Sequence, residues 1–475
     1  RNLTAALAPA YLRIGGTEAD RAFYQLDGTL DKPPPPFRSV LHAKHLEAIG
    51  AFAHAVNYEI CFTINAGPGT RGSNGAWMND QARALMRFIK QRGLPFSVFE
   101  FGNEPNAFPI FHRGLTVEPE AFAKDVKELE KIRNQECVGA RISAPATAWW
   151  PKIGEVPTPV LGRRTRLIRD YLQRVVVAAP CLDVVSWHYY PGLSDRSKLA
   201  LYYDRSLLLA FAPIVVAVAC SGRMPWPVTL MVWFAVFIVV ALVLLVRMLV
   251  RPVRLSTLRT ASNLDTVAKF GAQVRDFVMR TSIVQEHTAP AIWLGETGSA
   301  QVGGQTGVSG RWAATLWWLD QLGILALQGH TVQCRQTLCG HADSYALIDE
   351  STLEPLPDYW ASVLWKRLMG TEVFAVKAYP NVESMRIYCH CPTAQAWAAA
   401  DEAGLAADNA KLEGFMLLAI NLGKEQCELE LGSGSVVATW LLTAPSLSSR
   451  TVTINGKAPS TAADGSVPEL PGDRN

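Results

Sequence analysis

Phe96-Ser97-Val98-Phe99-Glu100-Phe101-Gly102-Asn103-Glu104-Pro105-Asn106 reads as a short apolar strand that ends in a carboxylate flanked by amides. A second stretch, Ile292-Trp293-Leu294-Gly295-Glu296-Thr297-Gly298, repeats the design and ends in Glu296. Five more runs read as buried strands: Tyr11–Ile14, Ile60–Ile64, Arg141–Ala144, Val184–Trp187 and Thr331–Cys334. Helical faces alternate with them, carried by Leu85, Met86 and Ile89, by Phe122, Val126 and Leu129, and by Val267, Phe270, Val274, Phe277 and Val278. Such alternation means a parallel sheet covered by helices. The expected fold class is α/β, a (β/α)8 TIM barrel with seven strands visible and the first one missing.

After Gly370 the pattern changes to strands without helices, at Val373–Ala378, Met385–Cys389, Phe415–Ile420, Val436–Leu442 and Thr451–Ile454. Asn455-Gly456 is a strong two-residue hairpin signal. The expected division is a first barrel part over 1–205, an apolar insertion over 206–259, a second barrel part over 260–370 and a C-terminal β-sandwich over 371–475. Within the insertion, 228–246 carries no charge and is followed by Arg247, Arg251, Arg254 and Arg259, which makes it a candidate transmembrane segment. Membrane association through 206–246 is therefore an expectation. Strands lying side by side in one barrel require their connection to leave and return on one side of a membrane. A single span does not satisfy that, so the other readings of 206–259 are a non-native insertion, a re-entrant anchor or a surface hairpin.

The chain has 475 residues, 49% of them hydrophobic and 18% charged, which excludes a disordered or fibrous protein. A formal charge of +3 gives no electrostatic footprint for nucleic acid. The nine cysteines lack the paired CxxC spacing of zinc sites. No metal or organic cofactor is expected.

The C-terminal ends of barrel strands point into the mouth where catalysis takes place, so Glu104, Asn103 and Glu296 are expected to face a substrate. Two glutamates presented by two strands suit the cleavage of an acetal. One carboxyl delivers a proton to the leaving oxygen, and the other, ionised, meets the positive charge on the anomeric carbon from the opposite face.

At these residues the chain resembles the heparanase family, glycoside hydrolase family 79. The resemblance is carried by Ala10-Tyr11-Leu12-Arg13-Ile14-Gly15-Gly16-Thr17, the two glutamate stretches, Ser186-Trp187-His188-Tyr189-Tyr190, Trp318-Leu319-Asp320-Gln321-Leu322-Gly323, Arg335-Gln336 and Leu356-Pro357-Asp358-Tyr359-Trp360. It implies Glu104 as general acid/base, Glu296 as nucleophile and a β-linked uronic acid beside the cleaved bond. It also implies Thr17 and Asn103 as sugar contacts, His188 and Tyr190 as pocket residues, and Gly303, Gly304 and Tyr345 as the grip on the uronate carboxylate. Gln301 and Val302 depart there from the Tyr and Gly of the animal enzymes. By the same comparison the first barrel strand belongs before Arg1 and a last sandwich strand, with the disulfide partner of Cys391, after Asn475. The short stretch from Asp31 to Phe37 stands where the animal enzymes have a long processed linker, which implies a single-chain enzyme.

The expected partner is an acidic polysaccharide, either heparan sulfate or another glucuronide-bearing glycan. The expected location is extracellular, lysosomal or membrane-anchored. Alternatives are a catalytically weak glycan-binding relative and a membrane-anchored exo-β-glucuronidase. Trp149 and Trp150 are candidates for stacking on sugar. Trp312, Trp317 and Trp318 read as helix core, and Arg163, Arg164, Arg166 and Arg169 as a solvated helix face or an anion contact.

Overall fold

The structure, a computed structural model, describes residues 1–149, 170–196, 253–377, 384–401 and 414–474 apart from single positions 29, 113 and 433, with a few isolated positions between 226 and 238. Seven parallel strands form one sheet in chain order: β1 (Ala10–Ile14), β2 (Tyr58–Ile64), β3 (Phe96–Phe101), β4 (Arg141–Trp149), β5 (Val184–Tyr189), β6 (Ala291–Thr297) and β7 (His330–Arg335). All seven expected strands are present. The edge strands β1 and β7 approach each other, so the sheet curls into a nearly closed barrel.

Among the described residues a helix of eight or more residues follows each strand: α1 (Ala43–Ala55), α2 (Asp80–Gln91), α3 (Pro119–Glu136), α4 (Tyr171–Ala178), α5 (Ala261–Val284), α6 (Trp312–Leu327) and α7 (Pro357–Leu368). The expected faces are the buried ones, with Leu85, Met86 and Ile89 of α2 and Phe122, Val126 and Leu129 of α3 in the main core. Helix α6 is buried nearly all round because it is sandwiched between the barrel and the C-terminal strands. Gly323 lies so close to the Tyr388 ring that a Cβ there would come within 2.3 Å of it. Trp317 and Trp318 are core residues of this layer and Trp312 packs against it, as read from the sequence.

The barrel interior is built in layers. At the N-terminal end Cys61, Val98, Val184 and Trp293 form an apolar plug with Tyr11 and Val332. One step further along the strands the lining turns polar, with Arg13, Thr63, Glu100 and Ser186 joined by hydrogen bonds. The mouth of the barrel stands on this charged floor.

Beyond α7 the chain forms a three-stranded antiparallel sheet of β8 (Met369–Phe374), β9 (Met385–Pro392) and β10 (Met416–Asn421), with β9 in the middle. A helix at Ala394–Asp401, which the strand pattern did not reveal, sits between β9 and β10. Two short strand pairs follow, each a separate two-stranded sheet among the described residues, and the expected sandwich is not established. Asn455 and Gly456 do form a tight turn, both with positive φ (50° and 74°), closed by mutual Ile454 and Lys457 hydrogen bonds.

Among the described residues no helix is long and apolar enough to cross a membrane. The candidate span 228–246 lies outside them apart from isolated positions, and membrane association through 206–246 draws no support. Trp150 and the arginines at 163, 164, 166 and 169 also lie outside the described residues, as does the side chain of Trp149.

Candidate active site

The chain leaving β3 turns sharply. Gly102 has φ 64°, a conformation that only glycine adopts without strain. Two residues on, Glu104 stands in the left-handed region at φ 53° and ψ 52°, uncommon for a residue with a Cβ. The loop is fastened to β4: the Glu104 N–H donates to the Ala146 carbonyl at 2.9 Å, and the Asn106 amide both donates to Ala148 O and accepts from Ala148 N (2.9 and 3.0 Å).

A bulge shapes the facing strand. Trp187 pairs with Leu294, and the next pair is His188 with Glu296, so Gly295 is an extra residue in β6. A Cβ on Gly295 would press on Ser186, Glu100 and His188. The bulge turns Glu296 into the mouth, where one oxygen each of Glu104 and Glu296 and a ring nitrogen of His188 lie within 4.8 Å of one another.

Arg13 ties these groups together from β1. Its Nη1 donates to Glu296 Oε2 at 2.8 Å, its Nη2 to Glu100 Oε1 at 2.6 Å and to Asn103 Oδ1 at 2.9 Å, and its Nε to Glu100 Oε1 at 3.0 Å. The other oxygen of Glu296 accepts from the Tyr190 hydroxyl at 2.6 Å. His188 Nδ1 lies 3.1 Å from Glu104 Oε1.

These surroundings push the two carboxyls apart. Glu104 is raised above the ordinary range, chiefly by burial, with the nearby charge of Glu296 adding and His188 and Arg13 opposing. Glu296 is lowered although burial works the other way, because His188, Arg13 and the Tyr190 hydrogen bond together outweigh it. One carboxyl is thus prepared to hold a proton and the other to stay ionised. Glu104, His188 and Glu296 are donors of the type that bind a metal ion, but the Arg13 guanidinium already occupies Glu296 Oε2.

Gly303, Gly304 and Tyr345 stand together beside the pair. Both glycines have positive φ (85° and 86°), and a Cβ on Gly304 would come within 2.7 Å of Ser309 Oγ and of Tyr345 N. The Tyr345 hydroxyl donates to Gln336 Oε1 at 2.6 Å, and its ring lies 6.5 Å from that of Tyr190. Val302, next to Gly303, has φ 54°, an outlier for a β-branched residue at a position suited to glycine. The structure therefore brings Asn103, Glu104, His188, Tyr190 and Glu296 into one network and sets Gly303, Gly304 and Tyr345 at its side. Thr17 is partly buried three residues beyond β1, and its hydroxyl has no hydrogen-bond partner among the described residues.

Arg13 and Glu100 were not singled out from the sequence. Each is a lone charge inside an apolar strand, and a buried charge requires a partner. That signal was available in Tyr11-Leu12-Arg13-Ile14 and Phe99-Glu100-Phe101. Cys391, for which the family resemblance implies a disulfide, is free and accepts from the Glu372 N–H at 3.3 Å.

Residues 1–146 match the family described as Glycosyl hydrolase family 79, N-terminal domain. Heparanase-like protein 1 of Arabidopsis thaliana is 26% identical over 417 residues, covering 82% of this chain and 61% of that protein. Heparanase of Rattus norvegicus is 24% identical over 437 residues, covering 82% of this chain and 67% of that protein. Inactive heparanase-2 of Homo sapiens is 25% identical over 448 residues, covering 91% of this chain and 60% of that protein. The chain thus spans about three fifths to two thirds of the length of these curated relatives. A crystal structure of a 4-O-α-L-rhamnosyl-β-D-glucuronidase from Fusarium oxysporum superimposes with a TM-score of 0.59 at 14% identity, covering 99% of this chain and 85% of that one. At that identity the match shows the fold alone. Residues 1–146 therefore belong with the N-terminal domains of glycoside hydrolase family 79, and most of the chain is similar to heparanases and heparanase-like proteins.

Proposed function

We propose that the chain is a retaining glycoside hydrolase that cleaves β-glucuronide linkages in acidic glycans, with Glu104 as general acid/base and Glu296 as nucleophile. The observation that carries this reading is the opposed electrostatics of two buried carboxyls at one barrel mouth. Their oxygens approach within 4.8 Å, which supports direct attack; inverting enzymes keep their carboxyls about 6.5–9.5 Å apart to admit a water. The relatives include a protein called inactive, so membership of the family does not by itself supply activity. The intact pair in this chain argues for it.

In the first step Glu104 gives its proton to the glycosidic oxygen as that bond to the anomeric carbon breaks, and a Glu296 oxygen bonds to the carbon. In the second, Glu104 takes a proton from water, whose oxygen displaces Glu296 and restores the carboxylate. Arg13 and Tyr190, holding one Glu296 oxygen each, keep it ionised and aimed. In this reading Asn103, tethered by Arg13, meets a sugar hydroxyl, and Gly303, Gly304 and Tyr345 meet the uronate carboxylate. Backbone N–H groups at glycines can approach an anion closely.

The deciding experiment compares an aryl β-glucuronide with the matching β-glucoside and follows the first-formed product by NMR. Faster release from the glucuronide, with the β anomer appearing first, is expected. Equal rates on both substrates would remove the uronate claim, and an initial α anomer would remove the retaining mechanism.

The pH dependence tests the electrostatics. Glu296 must be ionised, so activity falls as pH drops through its lowered value. Glu104 must be protonated, so activity falls as pH rises through its raised value, and kcat/KM should trace a bell belonging to the coupled pair. Tyr190→Phe removes a bond to the ionised form of Glu296. It should shift the acidic limb to higher pH and lower kcat/KM by roughly tenfold to a hundredfold, the worth of one hydrogen bond to a charged group. An unmoved acidic limb would show that Tyr190 does not support the nucleophile.

A further inference from the structure

The peptide that carries Glu104 is held by a carboxylate outside the catalytic pair. Asp20, in the loop after β1, is fully buried. Its Oδ2 accepts from the Asn103 N–H at 2.8 Å and its Oδ1 from the Ala66 N–H at 2.9 Å. Ala66 and Asn103 occupy equivalent places, each two residues past the end of its strand, β2 and β3. The last bond of the ladder between these strands runs from Gly102 N to Ile64 O, so the two N–H groups above it are left without a sheet partner. A single carboxylate, with one oxygen for each, takes up both.

The surroundings of Asp20 are fixed as well. Gly67 packs so close that a Cβ there would lie 2.1 Å from the Asp20 carbonyl oxygen. Arg71, whose charge acts on Asp20, is engaged by Asp125 and by the Ala66 carbonyl, and Glu100 lies in the charged floor below. No side-chain cation hydrogen-bonds Asp20 among the described residues, so its oxygens serve the two backbone groups. One of them immediately precedes the left-handed Glu104, whose own N–H is held by Ala146.

We propose that Asp20 is the positioning residue of the general acid, fixing the peptide between Asn103 and Glu104 so that the Glu104 carboxyl meets the leaving oxygen. The inference rests on the assignment of Glu104 as general acid. Asp20→Asn is nearly isosteric but turns an NH2 group toward one of the two N–H donors, which loosens that peptide.

A mispositioned acid has a signature that general structural damage lacks. An aryl glucuronide with a good leaving group, such as 2,4-dinitrophenyl, departs without a proton, whereas the phenyl compound requires one. For Asp20→Asn, kcat/KM should fall roughly a hundredfold on the phenyl substrate and by no more than about threefold on the dinitrophenyl one. Tyr24→Phe is the control: it removes the hydroxyl that accepts at 2.9 Å from the N–H of Asn65, the residue before Ala66, and should show no such difference. An equal loss on both substrates, or none, would overturn the proposal. Asp20→Ser, which retains a single acceptor, is the second variant, and failure of both to fold would make Asp20 a folding residue rather than a positioning one. If Glu104→Gly itself showed no leaving-group dependence, the fault would lie with the acid assignment and not with Asp20.

Discussion

Replacing Glu296 with alanine is expected to lower turnover on an aryl β-glucuronide by on the order of 10⁵-fold, about 7 kcal/mol of lost transition-state stabilisation. The loss is chemical rather than structural, because Arg13 keeps its bonds to Glu100 and Asn103 when the Glu296 carboxylate is gone. Azide supplies the check. With the nucleophile truncated, azide fits the space on the α face and displaces the leaving group once, giving an α-glycosyl azide. Near wild-type rates without azide, or no glycosyl azide with it, would show that Glu296 is not the nucleophile.

The seven strands were legible because each is a short apolar run, three of the helices between them because their apolar faces recur at helical spacing, and the two glutamates because each ends an apolar run. The groups that make the glutamates differ were less visible. Glu104 and Glu296 look alike in sequence, each following an apolar strand with a small residue near it. Their opposed shifts come from burial and the neighbouring Glu296 charge, which raise Glu104, and from His188, Arg13 (283 residues before Glu296) and Tyr190, which together lower Glu296. The Gly295 bulge was hidden for another reason: strand alternation does not announce where one residue is skipped. Asp20 lies in a loop with no periodic pattern, and only the placement of Ala66 and Asn103 gives it meaning. Beyond Gly370 the strand signals held at β8, β9 and β10, but short pairs with exposed edges do not reveal from sequence how they stack.

Replacing Glu104 with glycine is expected to separate activity from stability. Activity should fall roughly 10²–10⁴-fold on poor leaving groups, the range of general acid catalysis, and far less on 2,4-dinitrophenyl β-glucuronide. Azide should now give the β-glycosyl azide, because Glu296 still forms the covalent intermediate and azide attacks it from the face that Glu104 has vacated. The melting temperature should rise at the same time. Glycine adopts φ 53° without the cost that a Cβ brings, and the variant no longer buries a carboxyl beside Glu296. Both contributions act against the wild-type residue, so its presence at this position is explained by chemistry and not by folding. A glycine variant that is less stable than wild type would mean that the His188 contact, at 3.1 Å, contributes more to the fold than backbone and burial take away, and would make Glu104 as much a structural residue as a catalytic one.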